Sequence, residues 1–358
     1  MKKEKIAGKQ RARVIGRMLL LSLSLASARA ADPGVEPDSA ATVDAEAFQA
    51  AGPLRGPNSL AYPDRERREG REGWVLLEMM IDPQGKPHEI GVLESSGNPA
   101  LEQAAVRAVD EMKFAPAKRS GTPVDSHLIF KMVFYSSGHP AQGASAKFAT
   151  AYKGFQTAME AQSKEKADTA FENMDAENLY EDAIKSYCKF LYDRTWGTEV
   201  DQLEDLKRAV AGEKIPKYVP KDLFTRILMA QFVLQVKLLD YGTALNTWKT
   251  LQPIAPSPVH DALQHTVDQI IAVRDGNQAV RTSAHIGNIA AWNGHLFKNH
   301  FAISVSSGAV SDIKLRCKKQ YLTFSFKPEL EYAVNPSAGE CWIEVDGDPG
   351  TSFYLVQS

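Results

Sequence analysis

Between residues 73 and 134 the apolar period changes from two to 3.6 and back to two, with a turn signal at each change. Val75, Leu77, Met79 and Ile81 fall on one face of a first strand, and Trp74, Leu76, Glu78 and Met80 on the other. "DPQG" (82–85) follows. Pro83 suits the second position of a type I turn, and Gly85 supplies the positive φ that closes a three-residue hairpin. "HEIGVLES" (88–95) returns antiparallel. Asn98 and Pro99 then read as the cap and first turn of a helix. Its Leu101, Ala104, Ala105, Ala108, Val109 and Met112 keep the spacing that buries one stripe against a sheet. In the last strand, Asp125 to Phe134, one face carries Leu128, Phe130, Met132 and Phe134, and the other His127, Ile129, Lys131 and Val133. This β-β-α-β unit predicts a small α/β sandwich, and so few strands leave an exposed sheet edge. An edge is a template on which an extended peptide can add as a further strand.

The remainder of the chain changes texture twice. "SSGHPAQGAS" (136–145) reads as a linker, and from 146 to 277 the period is helical. Phe148, Tyr152, Phe155 and Met159 share one face. Leu223, Phe224, Ile227, Leu228 and Gln231 begin another helix, and Tyr241, Ala244, Leu245, Trp248 and Leu251 a third. Ser257 and Pro258 are read as the N-cap and first turn of the next. Residues 281–358 alternate at period two: Phe301/Ile303/Val305, Ile313/Leu315/Cys317, Leu322/Phe324/Phe326, Cys341/Ile343/Val345 and Phe353/Leu355. They predict a compact antiparallel β domain, a small sandwich or barrel. Cys317 and Cys341 share the parity of the inward residues, so a disulfide is expected in an oxidising compartment. Closing that loop of about 25 residues constrains the unfolded chain by about 3.5 kcal/mol. Cys188 lies on a helix among Leu179, Tyr180, Ile184, Tyr187 and Leu191 and reads as buried and inert.

The first thirty residues read as an address. A basic start (Lys2 to Arg17) leads into the apolar run "MLLLSLSLA" (18–26), and Ala28 and Ala30 occupy the positions a signal peptidase inspects. The expectation is a cleavable secretory signal over 1–30, a flexible leader over 31–61, and a periplasmic mature chain. An uncleaved inner-membrane anchor is the alternative. Cleavage takes eight basic and one acidic residue from totals of 42 and 44 and leaves a net charge of −9. Such a surface repels phosphate backbones, which argues against nucleic-acid binding.

Catalytic patterns are sparse. There is no glycine-rich phosphate loop, no G-x-S-x-G elbow and no H-E-x-x-H. His260/His265 and His295/His300 are spaced i, i+5, which does not bring two imidazoles to one helical face. Asp346 and Asp348 in "DGDPG" fall short of the six to eight oxygens calcium requires and read as a turn. The mixed-sign run 64–72 reads as a solvated helix. These residues point to a binding protein rather than an enzyme, with no metal or cofactor implied.

The landmarks of the first module resemble the C-terminal domain of TonB energy-transducer proteins. They are Tyr62-Pro63 before a short charged helix, Gly70 and Gly73 ahead of the first strand, and Asp82 with Gly85 at the hairpin. Ala104 and Ala108 follow in the helix, then Phe114 and Pro116 after it, and "TPV" (122–124) opening the last strand. The resemblance covers about residues 60–136. It implies a periplasmic module that captures the "box" peptide of an outer-membrane TonB-dependent receptor by strand addition. The implied docking edge is His127, Ile129, Lys131 and Val133, with Tyr62 and Pro63 nearby. Residues 222–256 resemble the second half of a tetratricopeptide repeat, though the pattern does not recur at that repeat's period. The fold class is therefore α+β and multidomain: residues 62–136 as the docking module, 146–277 as a solenoid-like helical array, and 281–358 as the β domain. The function implied is peptide binding linked to transport across the outer membrane. The alternative is an envelope scaffold whose helical array binds partner proteins while the module dimerises or pairs internally.

Overall fold

The computed structural model of the 358-residue chain describes residues 41–42, 48–54, 62–135, 143–211, 218–287, 291–317 and 321–358. These lie in the second of two compact units, Ser39–Ser358. The signal-peptide reading, with Ala28 and Ala30, lies outside the described residues.

Three short strands come first: β1 (Ala41–Thr42), β2 (Phe48–Gln49) and β3 (Gly52–Pro53). Helix α1 (Asp64–Arg68) precedes the hairpin of β4 (Gly73–Ile81) and β5 (Pro87–Ser95). Gly85 closes it at φ +80°, and its N–H donates to Asp82 O at 2.9 Å. Helix α2 (Pro99–Asp110) starts where its signals predict, since the Asn98 side chain accepts from the amides of Ala100 and Leu101. Short strands β6 (Phe114–Ala115), β7 (Ala117–Arg119) and β8 (Thr122–Val124) lead to β9 (Ser126–Phe134). "TPV" thus forms a strand of its own, paired with β7, and does not open β9. The buried faces are those read from the sequence. Val75, Leu77, Met79 and Ile81 pack with Leu101, Ala104, Ala105, Val109, Met132 and Phe134, and Phe114 joins them. Each large side chain in such a core is worth about 2 kcal/mol.

The helical array runs α3 (Ala146–Glu160), α4 (Lys164–Glu172), α5 (Leu179–Trp196), α6 (Glu199–Ala209), α7 (Lys221–Lys237), α8 (Tyr241–Leu251) and α9 (Ser257–Asp275). Consecutive helices pair as hairpins, α3 with α4, α5 with α6 and α7 with α8. A capping box at Thr198 and Asp201 starts α6. The last helix begins one residue earlier than read: Pro256 is its cap, and Ser257 is already helical. Cys188 is buried, as expected, and burial pushes its thiol up to about 12.

The β domain is a two-sheet sandwich. It comprises β10 (Val280–His285), β11 (Ala291–Leu296), β12 (His300–Ser307), β13 (Val310–Cys317), β14 (Tyr321–Ser325), β15 (Glu331–Ala333), β16 (Cys341–Gly347) and β17 (Ser352–Gln357). One sheet has the order β1-β15-β12-β17-β10 and the other β11-β16-β13-β14. Phe301, Ile303, Phe353 and Leu355 of the first meet Ile313, Leu315, Ile343 and Val345 of the second. Cys317 and Cys341 are directly opposed on β13 and β16 and form the expected disulfide. The segment read as a flexible leader contributes pairings: β1 lies parallel to β15, β2 antiparallel to β7 and β3 antiparallel to β6.

Candidate peptide-docking edge

The module's sheet has the order β5-β4-β9, so β9 is an edge that pairs, among the described strands, with β4 alone. The two edges differ in quality. Both breaks in the β4–β5 register insert an extra residue on β5, and Glu89 at one of them sits at φ +52°. Bulges of this kind spoil an edge for further pairing. The β4–β9 register runs unbroken from Gly73↔Phe134 to Ile81↔Ser126. Ser96 N–H donates to Trp74 O at 2.9 Å, so Trp74 turns its backbone groups toward β5. The alternate residues of β4 then bond β9, and the N–H and C=O of His127, Ile129, Lys131 and Val133 point away from the sheet.

Their side chains share the face opposite α2, and that face is not free. Val133 packs on the core of the helical array, and the Lys131 ammonium donates to Ala211 O. His127 lies 3.0 Å from the Arg316 guanidinium through Nδ1, and its Nε2 is 3.6 Å from Glu78. Burial, with Arg316 and Lys314 nearby, holds its imidazole below the usual range despite the opposing Glu344 carboxylate. Ile129 is 37% exposed. At the far end of the strand the Tyr62 ring stands 5.5 Å from Phe134, and its hydroxyl donates to Arg71 O. Burial pushes that phenol up to about 12. Pro63 caps α1, with its carbonyl accepting from Arg67 N. The six candidate residues therefore lie along one strand and beside its end; of their side chains Ile129 and Lys131 are exposed, and Lys131 is engaged with Ala211.

Sequence reasoning missed the opposing wall. Lys314 and Arg316 of β13 reach Glu344 of β16 at 2.8 and 2.7 Å, and Lys314 reaches Asp346 at 2.6 Å. Between this sheet and the module lies a cavity of about 470 Å³ that Glu78, Leu93, His127 and Ile129 line from the module side. The outward parity of Glu344 and Asp346 in "CWIEVD" was visible; the partner they face, His127 of a module far earlier in the chain, was not. The charged run 64–72 also departs from a solvated helix: Glu66 is buried and accepts from Asn98, and Glu72 is buried against α5.

Residues 58–135 match the family model described as Gram-negative bacterial TonB protein C-terminal. This segment is a TonB C-terminal domain. Over 75 residues it is 47% identical to protein TonB2 of Pseudomonas aeruginosa, a match covering 21% of this chain and 27% of that protein. Over 77 residues it is 36% identical to protein TonB of Vibrio cholerae, covering 22% and 32%. The solution structure of the Pseudomonas aeruginosa TonB C-terminal domain aligns at 28% identity and a TM-score of 0.20, over 24% of this chain and 84% of that one. The chain thus spans about a quarter to a third of the length of these curated relatives. The TonB C-terminal domain here is followed by the helical array and the sandwich. Among the described residues no helix is long and apolar enough to cross a membrane.

Proposed function

We propose that this protein is a periplasmic TonB-family protein. Its TonB C-terminal domain binds an extended peptide or receptor segment by adding it as a strand beside β9, in connection with TonB-dependent transport across the outer membrane. The observation that carries the reading is the unbroken register of β9 at the sheet edge, with alternate backbone groups turned outward. Main-chain hydrogen bonds worth about 1 kcal/mol net each give modest affinity and loose sequence selectivity. Titrating the full mature chain with a synthetic receptor box peptide tests it by amide NMR. The amides of residues 127, 129, 131 and 133 shift most if the reading holds, and a flat titration rejects it. Sequencing the mature N-terminus checks the location, with Ala31 expected first.

A second reading, an envelope scaffold, draws on the engaged side chains of Val133 and Lys131, which make the module a brace for the helical array. Under it the array binds partner proteins and the box peptide leaves the β9 amides unmoved.

A further inference from the structure

The cavity beside Ile129 has a chemistry of its own. A strand added to β9 lies about 4.8 Å away, and the guest residue directly opposite Ile129 or His127 projects to the same face, its Cβ about 5 Å from theirs. On that face the guest meets the outer surface of the sandwich. Four carboxylates line the cavity, from Glu78, Glu344, Asp346 and Asp348, against the single ammonium of Lys314. Arg316 reaches Glu344 from the side, and it also meets His127, whose imidazole burial holds below its usual range. Among the described residues the carboxylates here outnumber the cations by two. The apolar rim of Leu93, Ile129 and Val310 suits a methylene stem below a charged head.

We propose that the sandwich is the specificity wall of the docking edge, and that the preferred guest is an extended peptide presenting a lysine or arginine to this cavity. The inference rests on strand addition at β9 and adds the chemistry of the guest. It also gives the C-terminal domain a role that the domain's own core does not require.

The test uses the full mature chain and Val/Thr-alternating decapeptides in which one lysine is walked from end to end, with alanine and glutamate counterparts. Affinity is read by fluorescence anisotropy and docking by the β9 amides. The expected result is a lysine gain of about fivefold over alanine at positions of one parity only. Glutamate at those positions binds more weakly than alanine, and the gain shrinks between low and high salt. Asp346→Asn and, on the exposed turn, Asp348→Asn each reduce the lysine gain. Equal gains at both parities indicate nonspecific attraction to an acidic surface and overturn the inference, as does equal binding of lysine, alanine and glutamate peptides. In both cases shifted β9 amides leave the docking reading standing. Should no peptide move the β9 amides, the docking reading fails and takes this inference with it.

Discussion

At Gly85 a Cβ would sit 2.0 Å from the carbonyl oxygen of Phe114, on a backbone already at φ +80°. The Phe114 amide also donates to Gly85 O at 3.0 Å, so the hairpin turn is clamped to the strand that follows α2. Gly85→Ala adds left-handed strain of about 1–2 kcal/mol to a clash with backbone that cannot rotate away. A loss of about 3 kcal/mol or more in denaturant unfolding is expected. Asp205 presents the opposite case, a group whose protonation stabilises. Its Oδ2 is buried without a donor beside the Asp193 carboxyl. Burial first, then that neighbour, push it up to about 8. The folded state holds this proton and the unfolded state releases it near pH 4. Its contribution is therefore fully present below about pH 4 and is lost as pH rises toward 8. Asp205→Asn keeps a donor at every pH. Thermal melts should show the variant gaining on the parent as pH rises from 4 to 8, with little difference at pH 4.

The elements were legible where a local rule fixes them. Asn98-Pro99 set the start of α2, and the period-two runs in 301–355 set most strands of the sandwich. The strands that escaped, β1, β2, β3, β6, β7, β10, β11 and β15, are short or carry little apolar alternation, and most are created by partners far along the chain. Tyr332 of β15, for example, sits between Ala41 of β1 and Phe301 of β12. The disulfide was legible because inward parity at Cys317 and Cys341 is a local property. It staples β13 to β16, the two strands whose outer faces build the charged wall opposite the module. Cys317→Ser with Cys341→Ser removes a constraint worth about 3.5 kcal/mol in the chain-entropy account. The expected outcome is a lower unfolding midpoint for the sandwich, followed by hydrogen exchange of the β13 and β16 amides. Unchanged exchange protection would show that the ladder alone holds the two strands.

At the scale of the whole molecule, the module is welded to the array through a side chain whose destination the sequence did not disclose. Alternation places Trp74 on the face of β4 away from α2, but nothing local says what covers it. It is 1% exposed, inside the core formed by α5 to α9. Its indole donates to Asp182 Oδ2 at 2.8 Å, and the Arg208 guanidinium lies 5.1 Å above the ring. Arg208 continues across the junction to Glu94 at 2.6 Å and Ser95 O at 2.7 Å, while Glu72 N–H donates to Glu177 O at 2.8 Å. Apolar burial and satisfied polar groups meet at one point, so module and array should unfold together. Trp74→Phe keeps most of the buried area and forfeits the bond to Asp182, a loss of about 1–3 kcal/mol. Trp74→Ala empties the site and costs about 3–5 kcal/mol. Calorimetry should then show one transition for module and array in the parent and in Trp74→Phe, but two in Trp74→Ala, with the β4 and β9 amides exchanging in the earlier one. A single transition in Trp74→Ala would mean that Arg208 and Glu72 suffice to hold the two bodies together.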